Sequence, residues 1–291
     1  MRRSVTLILP NGVIIVNTIG KLLPAVATSS KIILNIRSND GECTICKQQI
    51  VGTAGVAYEL YDTYAVVTGY TGTESKVKIA AFYNDLPVTR IENKAFYNCK
   101  SLKSVTIPDS VTSIGKYAFL DCTSLTRVYI TDIAAWCNIS FNDCFSNPLF
   151  YAKNLYLNNN LVTALTIPDS VTSIGEGAFY SCTSLTSMTI PDNVTSISGC
   201  AFYRCTSLTS VTIGKGVKSI GEDAFYNCTS LKTVYYKGTA ADWGKISINS
   251  NNTYLTDAKW YYYSESKPTE SGNYWHYVDG KPTVWVSDEE N

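Results

Sequence analysis

Apolar and polar positions recur with a fixed spacing through the middle of the chain. Residues 111–130, 171–190 and 194–213 have the sequences VTSIGKYAFLDCTSLTRVYI, VTSIGEGAFYSCTSLTSMTI and VTSISGCAFYRCTSLTSVTI, and two further copies occupy 88–107 and 217–236. In each copy the residues that follow the cysteine by a few positions alternate between apolar and polar side chains. This alternation is typical of a strand with one buried face, so we predict one main strand in each copy.

The rest of each copy predicts short elements on the opposite side. Pro-Asp follows the main strand at Pro108, Pro168 and Pro191, where proline and aspartate favour a turn. A brief extended piece, Val-Thr-Ser-Ile, comes next, and Ala-Phe-x-x-Cys leaves room for a single helical turn. Because one copy cannot bury its apolar face alone, the copies must stack. The sequence therefore predicts a repeat solenoid of 23-residue units, rich in β-structure with little helix.

Stacking would place equivalent side chains above one another, about 4.8 Å apart. Two apolar ladders are therefore predicted to face inward. One consists of Phe96, Phe119, Phe179, Phe202 and Phe225, and the other of Leu102, Leu125, Leu185, Leu208 and Leu231.

The repeat is interrupted, because Cys122 and Cys182 lie 60 residues apart instead of 23. The intervening segment IAAWCNISF at 133–141, centred on Trp136, has a counterpart in AADWGKISI at 240–248, centred on Trp243. The letters continue to match when AKNLY at 152–156 is aligned with AKWYY at 258–262. We therefore predict the same elaborated unit twice, in insertions at about 131–161 and 237–259, with the tryptophans as packing residues.

These patterns divide the chain into four predicted regions. A leader of uncertain structure covers 1–56, a β cap 57–87, the solenoid 88–263, and an aromatic hairpin or cap 264–291. The hairpin is predicted at Asp279-Gly280, which lies between aromatic segments.

The leader admits three interpretations. Arg2 and Arg3 precede an apolar stretch, and Ala25-Val26-Ala27 resembles a cleavage site, as in a secretion signal. Pro10-Asn11-Gly12 breaks that stretch, which favours a strand or an unstructured leader instead. Since no apolar run approaches about 18 residues, we predict no membrane insertion.

Charge argues against several classes of partner. Charged residues make up 16% of the chain and balance at 24 basic and 24 acidic, so we predict no nucleic-acid partner and no steering by charge.

Catalytic constellations are not evident in the sequence. The single histidine, His276, lies in the aromatic tail, and no nucleophile elbow or zinc-protease helix is present. Cys43 and Cys46 have metal-ligand spacing, but no second pair follows. We predict no enzymatic activity, no cofactor and no metal.

The repeat cysteines are predicted to be buried free thiols that act as small apolar fillers. Stacked neighbours come close enough for a disulfide, but their Cβ vectors would run parallel. The ladder comprises Cys99, Cys122, Cys182, Cys205 and Cys228. Cys137 and Cys144 remain candidates to close a small loop within the first insertion.

Candidate partner-binding residues lie on the polar positions of the main strands. These positions form two columns, Ser104, Arg127, Ser187, Ser210 and Thr233 in one and Thr106, Tyr129, Thr189, Thr212 and Tyr235 in the other. If the sheet lines a concave side, this face is small, rich in hydroxyls and almost uncharged. Threonine suits any exposed strand position, so Thr189 and Thr212 are weaker candidates. Arg127, Tyr129, Tyr235 and Tyr236 are the predicted anchors, because Tyr and Arg are enriched at binding hot spots.

The tail suggests a different ligand. Its aromatic residues could stack on sugars, with Trp260, Tyr262, Trp275 and Tyr277 as the candidate glycan-stacking residues. The alternative is that they cap the last repeat.

The unit Val-Thr-Ser-Ile-Gly-x-x-Ala-Phe-x-x-Cys-Thr-Ser-Leu-Thr-Ser-Val-Thr-Ile-Pro resembles the BspA-like leucine-rich repeat family of bacterial surface proteins, over about residues 57–263. The resemblance implies a surface-exposed or secreted solenoid used in adhesion or recognition of host or microbial macromolecules, with no catalytic residues to transfer. The first 50 or so residues depart from the family, with no clear secretion signal, and no wall-sorting sequence follows the tail.

Three functions therefore stand at this point. The first is a non-catalytic adhesin that engages a protein partner through its repeat face. The second is carbohydrate or cell-wall binding through the tail, and the third is a purely structural spacer.

Overall fold

The computed structural model describes residues 52–143 and 145–285 in full, and the backbone of three short strands before them. The chain divides into two compact units, Met1–Val51 and Gly52–Asn291. In the first unit, strands β1 (Val5–Leu9), β2 (Gly12–Val16) and β3 (Leu34–Asn35) form an antiparallel sheet in the order β2-β1-β3. The Cys43 and Cys46 pair lies outside the described residues.

The second unit is built almost entirely from short strands. They are β4 Val56–Leu60, β5 Ala65–Tyr70, β6 Lys76–Lys78, β7 Phe82–Tyr83, β8 Leu86–Ile91, β9 Ser104–Thr106, β10 Ser113–Ile114, β11 Arg127–Ile130, β12 Ser140–Phe141, β13 Leu155–Leu157, β14 Asn160–Leu161, β15 Ala164–Thr166, β16 Ser173–Ile174, β17 Ser187–Ile190, β18 Ser196–Ile197, β19 Ser210–Ile213, β20 Ser219–Ile220, β21 Thr233–Tyr236, β22 Ser247–Ile248, β23 Lys259–Tyr263, β24 Tyr274–Val278 and β25 Lys281–Val284. The helices are α1 Ile133–Cys137, α2 Leu149–Ala152, α3 Ala240–Trp243 and α4 Thr253–Thr256.

The main strands pair in parallel, one repeat against the next. Ser187 pairs with Ser210 and Val211 with Val234, so the chain returns to the same register after each 23-residue turn. This pairing builds a five-stranded sheet in the order β14-β13-β11-β9-β6 and a seven-stranded sheet in the order β15-β17-β19-β21-β23-β24-β25. The predicted solenoid with one main strand per repeat is confirmed.

The second extended piece of each repeat forms the outer side. The outer strands pair in parallel in the orders β12-β10-β8-β5 and β16-β18-β20-β22, and most of them have two residues. Strand β4 pairs with β5, and β7 with β8, both in antiparallel orientation. The main and outer sheets both break between the first elaborated unit and the repeat that follows it. At the break, β14 folds back antiparallel onto β13 through Asn158 and Asn159, which both have left-handed backbone conformations.

The core lies between the main and outer strands and is formed by the predicted ladders. All five ladder phenylalanines are 0% exposed, and the ladder leucines are buried. Ring centroids of Phe96 and Phe119 are 5.0 Å apart, and those of Phe202 and Phe225 are 5.1 Å apart. The spacing follows the strand separation, as expected for side chains that stack along a solenoid.

The repeat cysteines form a third inward ladder. Cys122, Cys182, Cys205 and Cys228 are buried free thiols, as predicted, whereas Cys99 is a free thiol that is only half-buried. The Sγ atom of Cys205 donates to the carbonyl oxygen of Phe179 in the preceding repeat at 3.2 Å, and Cys228 repeats this contact with Phe202 at 3.2 Å. Burial raises the pKa of Cys182 to about 11 and that of Cys228 to about 12, so these thiols stay protonated.

The turn that carries the ladder phenylalanine contains two left-handed residues in every repeat. The first position is held by Lys94, Tyr117, Gly177, Cys200 and Asp223, and the second by Asn98, Asp121, Ser181, Arg204 and Asn227. The turn is therefore wound from paired left-handed positions and not from one helical turn. Gly177 is the only glycine among these ten residues, although this conformation strains most side chains.

The first elaborated unit fits into the stack through polar contacts that replace backbone bonds. In regular repeats the amide of the ladder phenylalanine donates to an alanine carbonyl of the next repeat, as Phe179 does to Ala201 at 2.8 Å. Where the first insertion meets the following repeat, the indole Nε1 of Trp136 donates to the carbonyl of Ala178 at 2.8 Å instead. Next to this bond, the Nδ2 atom of Asn147 donates to the carbonyl oxygen of Gly177 at 2.8 Å.

Cys137 does not form the predicted loop with Cys144. It is a buried free thiol whose pKa is raised to about 12 by burial, while Cys144 itself lies outside the described residues.

The second elaborated unit repeats the first, but its residues align differently from the sequence prediction and its helix is less buried. The pairing of Val128 with Leu155 and of Val234 with Trp260 makes Leu155 equivalent to Trp260, so the alignment of AKNLY with AKWYY is wrong by one residue. Helix α1 buries Ile133, Trp136 and Cys137, whereas α3 buries no residue. No regular repeat covers α3, so its unit ends the outer sheet.

Extra strands cover both ends of the second compact unit, Gly52–Asn291. At the N-terminal end, β4 and β5 extend the outer sheet, β6 begins the main sheet and β7 pairs with β8. At the other end the predicted hairpin is present, with β24 and β25 joined by Asp279 and Gly280, both at positive φ. Along the described residues no helix is long and apolar enough to cross a bilayer.

Candidate binding face

The outward side of the main strands forms a continuous set of side chains in each main sheet, which we call the main-sheet face. Its residues alternate with the buried ones along each strand, as in β17, where Met188 and Ile190 are buried and Ser187 and Thr189 are half-buried. Strand pairing aligns the outward residues in two columns that run across the repeats. The predicted polar columns are therefore real, although Ser104 and Thr212 are only 7% and 3% exposed.

A first tyrosine pair lies at the first elaborated unit. Tyr129 on β11 pairs with Tyr156 on β13, and their ring centroids are 4.9 Å apart at 34°. Both rings are half-buried, and Arg127 is exposed two residues before Tyr129. The arrangement places an exposed arginine beside two packed tyrosine rings, and Tyr and Arg are both enriched at protein-binding hot spots.

A second tyrosine pair lies at the second elaborated unit. Tyr235 on β21 pairs with Tyr261 on β23, with ring centroids 5.8 Å apart at 28°. The Lys259 Nζ atom lies 5.1 Å above the Tyr261 ring, which is within range of a cation–π contact. Burial raises the pKa of Tyr235, so this hydroxyl remains neutral and keeps its proton to donate.

Strands with small side chains lie between the two pairs. Strands β15, β17 and β19 carry mainly Ser and Thr at their outward positions. Of the two predicted threonines, Thr189 is half-buried, whereas Thr212 is buried and cannot contact a partner. Beside these strands, the hydroxyls of Thr186 and Thr209 donate to backbone carbonyls of the preceding repeats at 2.8 and 2.9 Å. These hydrogen bonds join neighbouring repeats. Because the outward residues of β15, β17 and β19 are small, the two tyrosine pairs contribute larger side chains to the face.

The predicted anchor Tyr236 does not belong to this face. It pairs with Ile213, whose position is inward, and its side chain is 1% exposed. A strand turns successive side chains to opposite sides, so Tyr235 and Tyr236 cannot both face a partner.

Two of the four predicted glycan-stacking residues are also buried. Trp260 is 9% exposed and donates from Nε1 to the Leu255 carbonyl, and Trp275 is 0% exposed and donates to the Tyr236 carbonyl at 2.9 Å. Tyr262 is half-buried and packs on the core, whereas Tyr277 is 38% exposed. The tail tryptophans therefore cap the last repeats and present no open ring.

The crevices of the second unit are shallow. One lies between Pro108 and Trp136, and another is lined by Asp143, Glu176 and Cys200. In the described part of the chain no three His, Cys, Asp or Glu side chains are grouped as metal ligands would be.

Several members of the main-sheet face escaped the sequence prediction. Tyr156, Tyr261 and Lys259 lie in the elaborated units, where the regular 23-residue pattern cannot assign a column. The usable signal was strand alternation, since Leu155 and Trp260 fill the inward position that Val128 and Val234 fill in the neighbouring strands.

Comparison with known proteins supports the repeat assignment. The model of the BspA type leucine rich repeat region matches six copies over residues 75–149 and 151–258. A leucine-rich repeat protein from T. pallidum has 27% identity, with 67% of this chain and 83% of that chain covered and a TM-score of 0.44. A leucine rich cell surface protein from Faecalibacterium prausnitzii A2-165 has 32% identity, with 63% and 53% covered and a TM-score of 0.42. A search of curated proteins gave no match. Because the family model covers more than half of its length, the chain belongs to the BspA-type leucine-rich repeat family.

Proposed function

We propose that the protein is a non-catalytic binding protein that engages a protein partner through the main-sheet face. The observation that supports this most is the placement of the two tyrosine pairs, each beside a cation and each at an elaborated unit. Tyr129 and Tyr156 accompany Arg127, and Tyr235 and Tyr261 accompany Lys259. Between these pairs, β15, β17 and β19 carry mainly small hydroxylated residues at their outward positions, which add little contact area.

The tyrosines suit recognition because they are already ordered. Each ring packs against its partner and is half-buried, so little side-chain freedom is lost when a ligand contacts it. Tyrosine also offers an apolar ring and a hydroxyl together, which allows one residue to pack and to hydrogen-bond. Membership of a repeat family whose members present extended surfaces favours the same function.

We propose a protein partner in preference to a carbohydrate. Tail binding of glycans relied on Trp260 and Trp275, and both indoles are buried and hydrogen-bonded to backbone carbonyls. Of the four tail candidates, Tyr277 presents the most exposed ring. Exposure on the cell surface or secretion is part of this proposal and is supported by the family.

The test is a binding screen against arrays of host and microbial surface proteins and of glycans. Binding of any protein found in the screen should be weakened or abolished by the double variants Tyr129→Ala/Tyr156→Ala and Tyr235→Ala/Tyr261→Ala. The matched control is Tyr97→Ala/Tyr226→Ala, which removes two exposed tyrosines outside the main strands. Equal losses in the control would contradict the proposal, and so would binding confined to glycans and abolished by Tyr277→Ala.

Point variants are preferable to deletion of 264–291 for this test. The Trp275 indole contacts Tyr235 at 5.4 Å between ring centroids, so deletion would alter the second tyrosine pair as well as the tail. Loss of binding in the truncated protein would then have two explanations.

A further inference from the structure

Charge on the main-sheet face is segregated, although the chain as a whole is neutral. The strands of the main sheets carry Lys76, Lys78, Arg127, Lys259 and Lys281 but contain no Asp or Glu. Arg127, Lys76, Lys78 and Lys259 are all exposed. The expectation of an almost uncharged face is therefore wrong, because Lys76 and Lys78 in the cap and Lys259 in the second elaborated unit add to Arg127.

Strand register brings these cations beside the tyrosines. Lys76 and Arg127 both pair with Ser104, one on each side of it, and so share its column. Lys78 shares the other column with Tyr129 and Tyr156. We call this group, with Lys76, Lys78, Arg127, Tyr129 and Tyr156, the N-terminal cluster.

A smaller group repeats the composition at the other end of the repeats. Lys259 pairs with Thr233 on β21, and Tyr261 pairs with Tyr235. We call Tyr235, Lys259 and Tyr261 the C-terminal cluster. The strands β15, β17 and β19, which carry no charged residue, separate the two clusters.

Carboxylates near this face are mostly occupied elsewhere. In the turns that follow the main strands, Asp109 accepts from the Thr131 hydroxyl at 2.6 Å and Asp132 caps helix α1. Asp192 accepts from the Lys215 amide at 3.0 Å and is 3.9 Å from Lys237. None of these ion pairs or hydrogen bonds neutralises Lys76, Lys78, Arg127 or Lys259.

We infer that the partner of the main-sheet face is an acidic segment of a polypeptide, which contacts both clusters at once. This inference rests on the proposed function and specifies its ligand. Lys and Arg side chains that form no ion pair with the described residues favour carboxylates of a partner, and charge complementarity sets partner choice and association rate. A polypeptide fits better than an anionic glycan, because each tyrosine packs against its pair partner and Lys259 lies over Tyr261, which leaves little open ring face for a sugar.

The first experiment measures binding of labelled polymers to the full chain. The probes are a random copolymer of glutamate and tyrosine, poly-L-glutamate, neutral poly-L-glutamine and dextran sulfate, each at low and at high salt. The acidic polypeptides should bind, with an affinity that falls as salt rises, because screening weakens contacts between exposed charges. Poly-L-glutamine should not bind.

Charge variants locate the interaction. Lys76→Gln/Lys78→Gln/Arg127→Gln/Lys259→Gln should weaken copolymer binding about tenfold, as expected when several modest charge contacts are lost together. The matched control, Lys94→Gln/Lys100→Gln/Lys116→Gln/Lys218→Gln, removes the same charge from exposed positions outside the main strands. It should bind as wild type does, and urea midpoints of both variants should confirm that they are folded.

Each other outcome overturns the inference. It fails if wild type does not bind the acidic polypeptides, or if the control variant loses as much affinity as the face variant. It also fails if dextran sulfate binds through these four cations while the polypeptides do not, since the ligand would then be an anionic glycan. A protein found in the array that needs the tyrosines, but is indifferent to salt and to the face variant, would leave the proposed function standing and remove this inference alone.

Discussion

The indole nitrogen of Trp136 donates a 2.8 Å hydrogen bond to the carbonyl oxygen of Ala178, which follows it by 42 residues. The bond is buried and joins the first elaborated unit to the next repeat. Trp136→Phe keeps most of the ring but removes the donor, and we expect the free energy of unfolding to fall by about 1–3 kcal/mol. Urea denaturation measures this change.

The second elaborated unit supplies the control for that prediction. Trp243 occupies the equivalent position and is half-buried against Trp260, with ring centroids 3.6 Å apart, but no following repeat covers it. Trp243→Phe should therefore cost clearly less than Trp136→Phe. Equal losses would mean that ring packing, and not the bond to Ala178, explains the effect.

The phenylalanine ladder predicts a large loss from a single truncation. Phe202 is 0% exposed and stacks between Phe179 and Phe225. Phe202→Ala should lower the free energy of unfolding by about 3–5 kcal/mol, because it removes buried apolar area and leaves a cavity. The exposed ring of Tyr97 is the comparison, and Tyr97→Ala should change the urea midpoint little. A midpoint for Phe202→Ala equal to that of Tyr97→Ala would refute the inward ladder.

Left-handed backbone at the repeat turn can be tested at its one glycine. Gly177 has φ of +61°, and a Cβ atom there would meet nothing within 4 Å. Gly177→Ala should therefore cost about 1–2 kcal/mol from backbone strain alone. Gly244 has φ of −60° at the end of α3, so Gly244→Ala should stabilise by about 0.4–1 kcal/mol. The two variants should shift the melting temperature in opposite directions, and shifts of the same sign would argue against this backbone assignment.

The buried thiols predict a loss of stability in alkali. Their folded pKa values, about 11 for Cys182 and about 12 for Cys228, exceed the ordinary value of 9.0. A raised folded pKa contributes stability that is complete below the unfolded pKa and is lost as pH rises through the folded pKa, since the unfolded thiol ionises first. Between about pH 8 and about pH 10.5 each thiol should account for roughly 2 kcal/mol of that loss.

Replacing the thiols isolates their share of the pH dependence. Urea unfolding of Cys182→Ala/Cys228→Ala at both pH values should show a smaller loss than wild type. An equal loss of stability in both proteins would assign the alkaline effect to other groups, such as the tyrosines, because burial also raises the pKa of Tyr235, Tyr236 and Tyr262.

Regular repetition made most of the fold predictable from the sequence. Phe202 and Leu208 recur in every copy at the same offset, so their stacking followed from the period alone. Prediction weakened where the period is lost. The turn around Arg204 was expected to be one helical turn, because glycine is the usual sign of a left-handed position and is absent there. The first left-handed position of the repeat is instead filled by Lys94, Tyr117, Cys200 and Asp223 in four of the five copies.

The candidate site was harder to predict because it lies in the irregular units. Tyr236 and Trp260 were assigned to binding on residue type, whereas alternation along β21 and β23 turns them inward. A shift of one residue in aligning the two insertions was enough to exchange the buried and exposed sides of β23. Trp275 is buried through a contact between distant segments, its bond to the Tyr236 carbonyl, which no local pattern encodes.

The break of both sheets at one level gives the solenoid a single mechanically weak plane. Across it, strand ladders are replaced by a few separate hydrogen bonds, such as Gly175 to the Cys137 carbonyl and Thr183 to the Lys153 carbonyl, together with the side chains of Trp136 and Asn147. In a stack held by nearest-neighbour contacts, the weakest interface yields first. A protein pulled at its ends should therefore open first at this plane, in a force step that precedes unfolding of the segment before Leu161 and of the segment after it, and until those segments unfold each tyrosine pair would stay intact on its own segment.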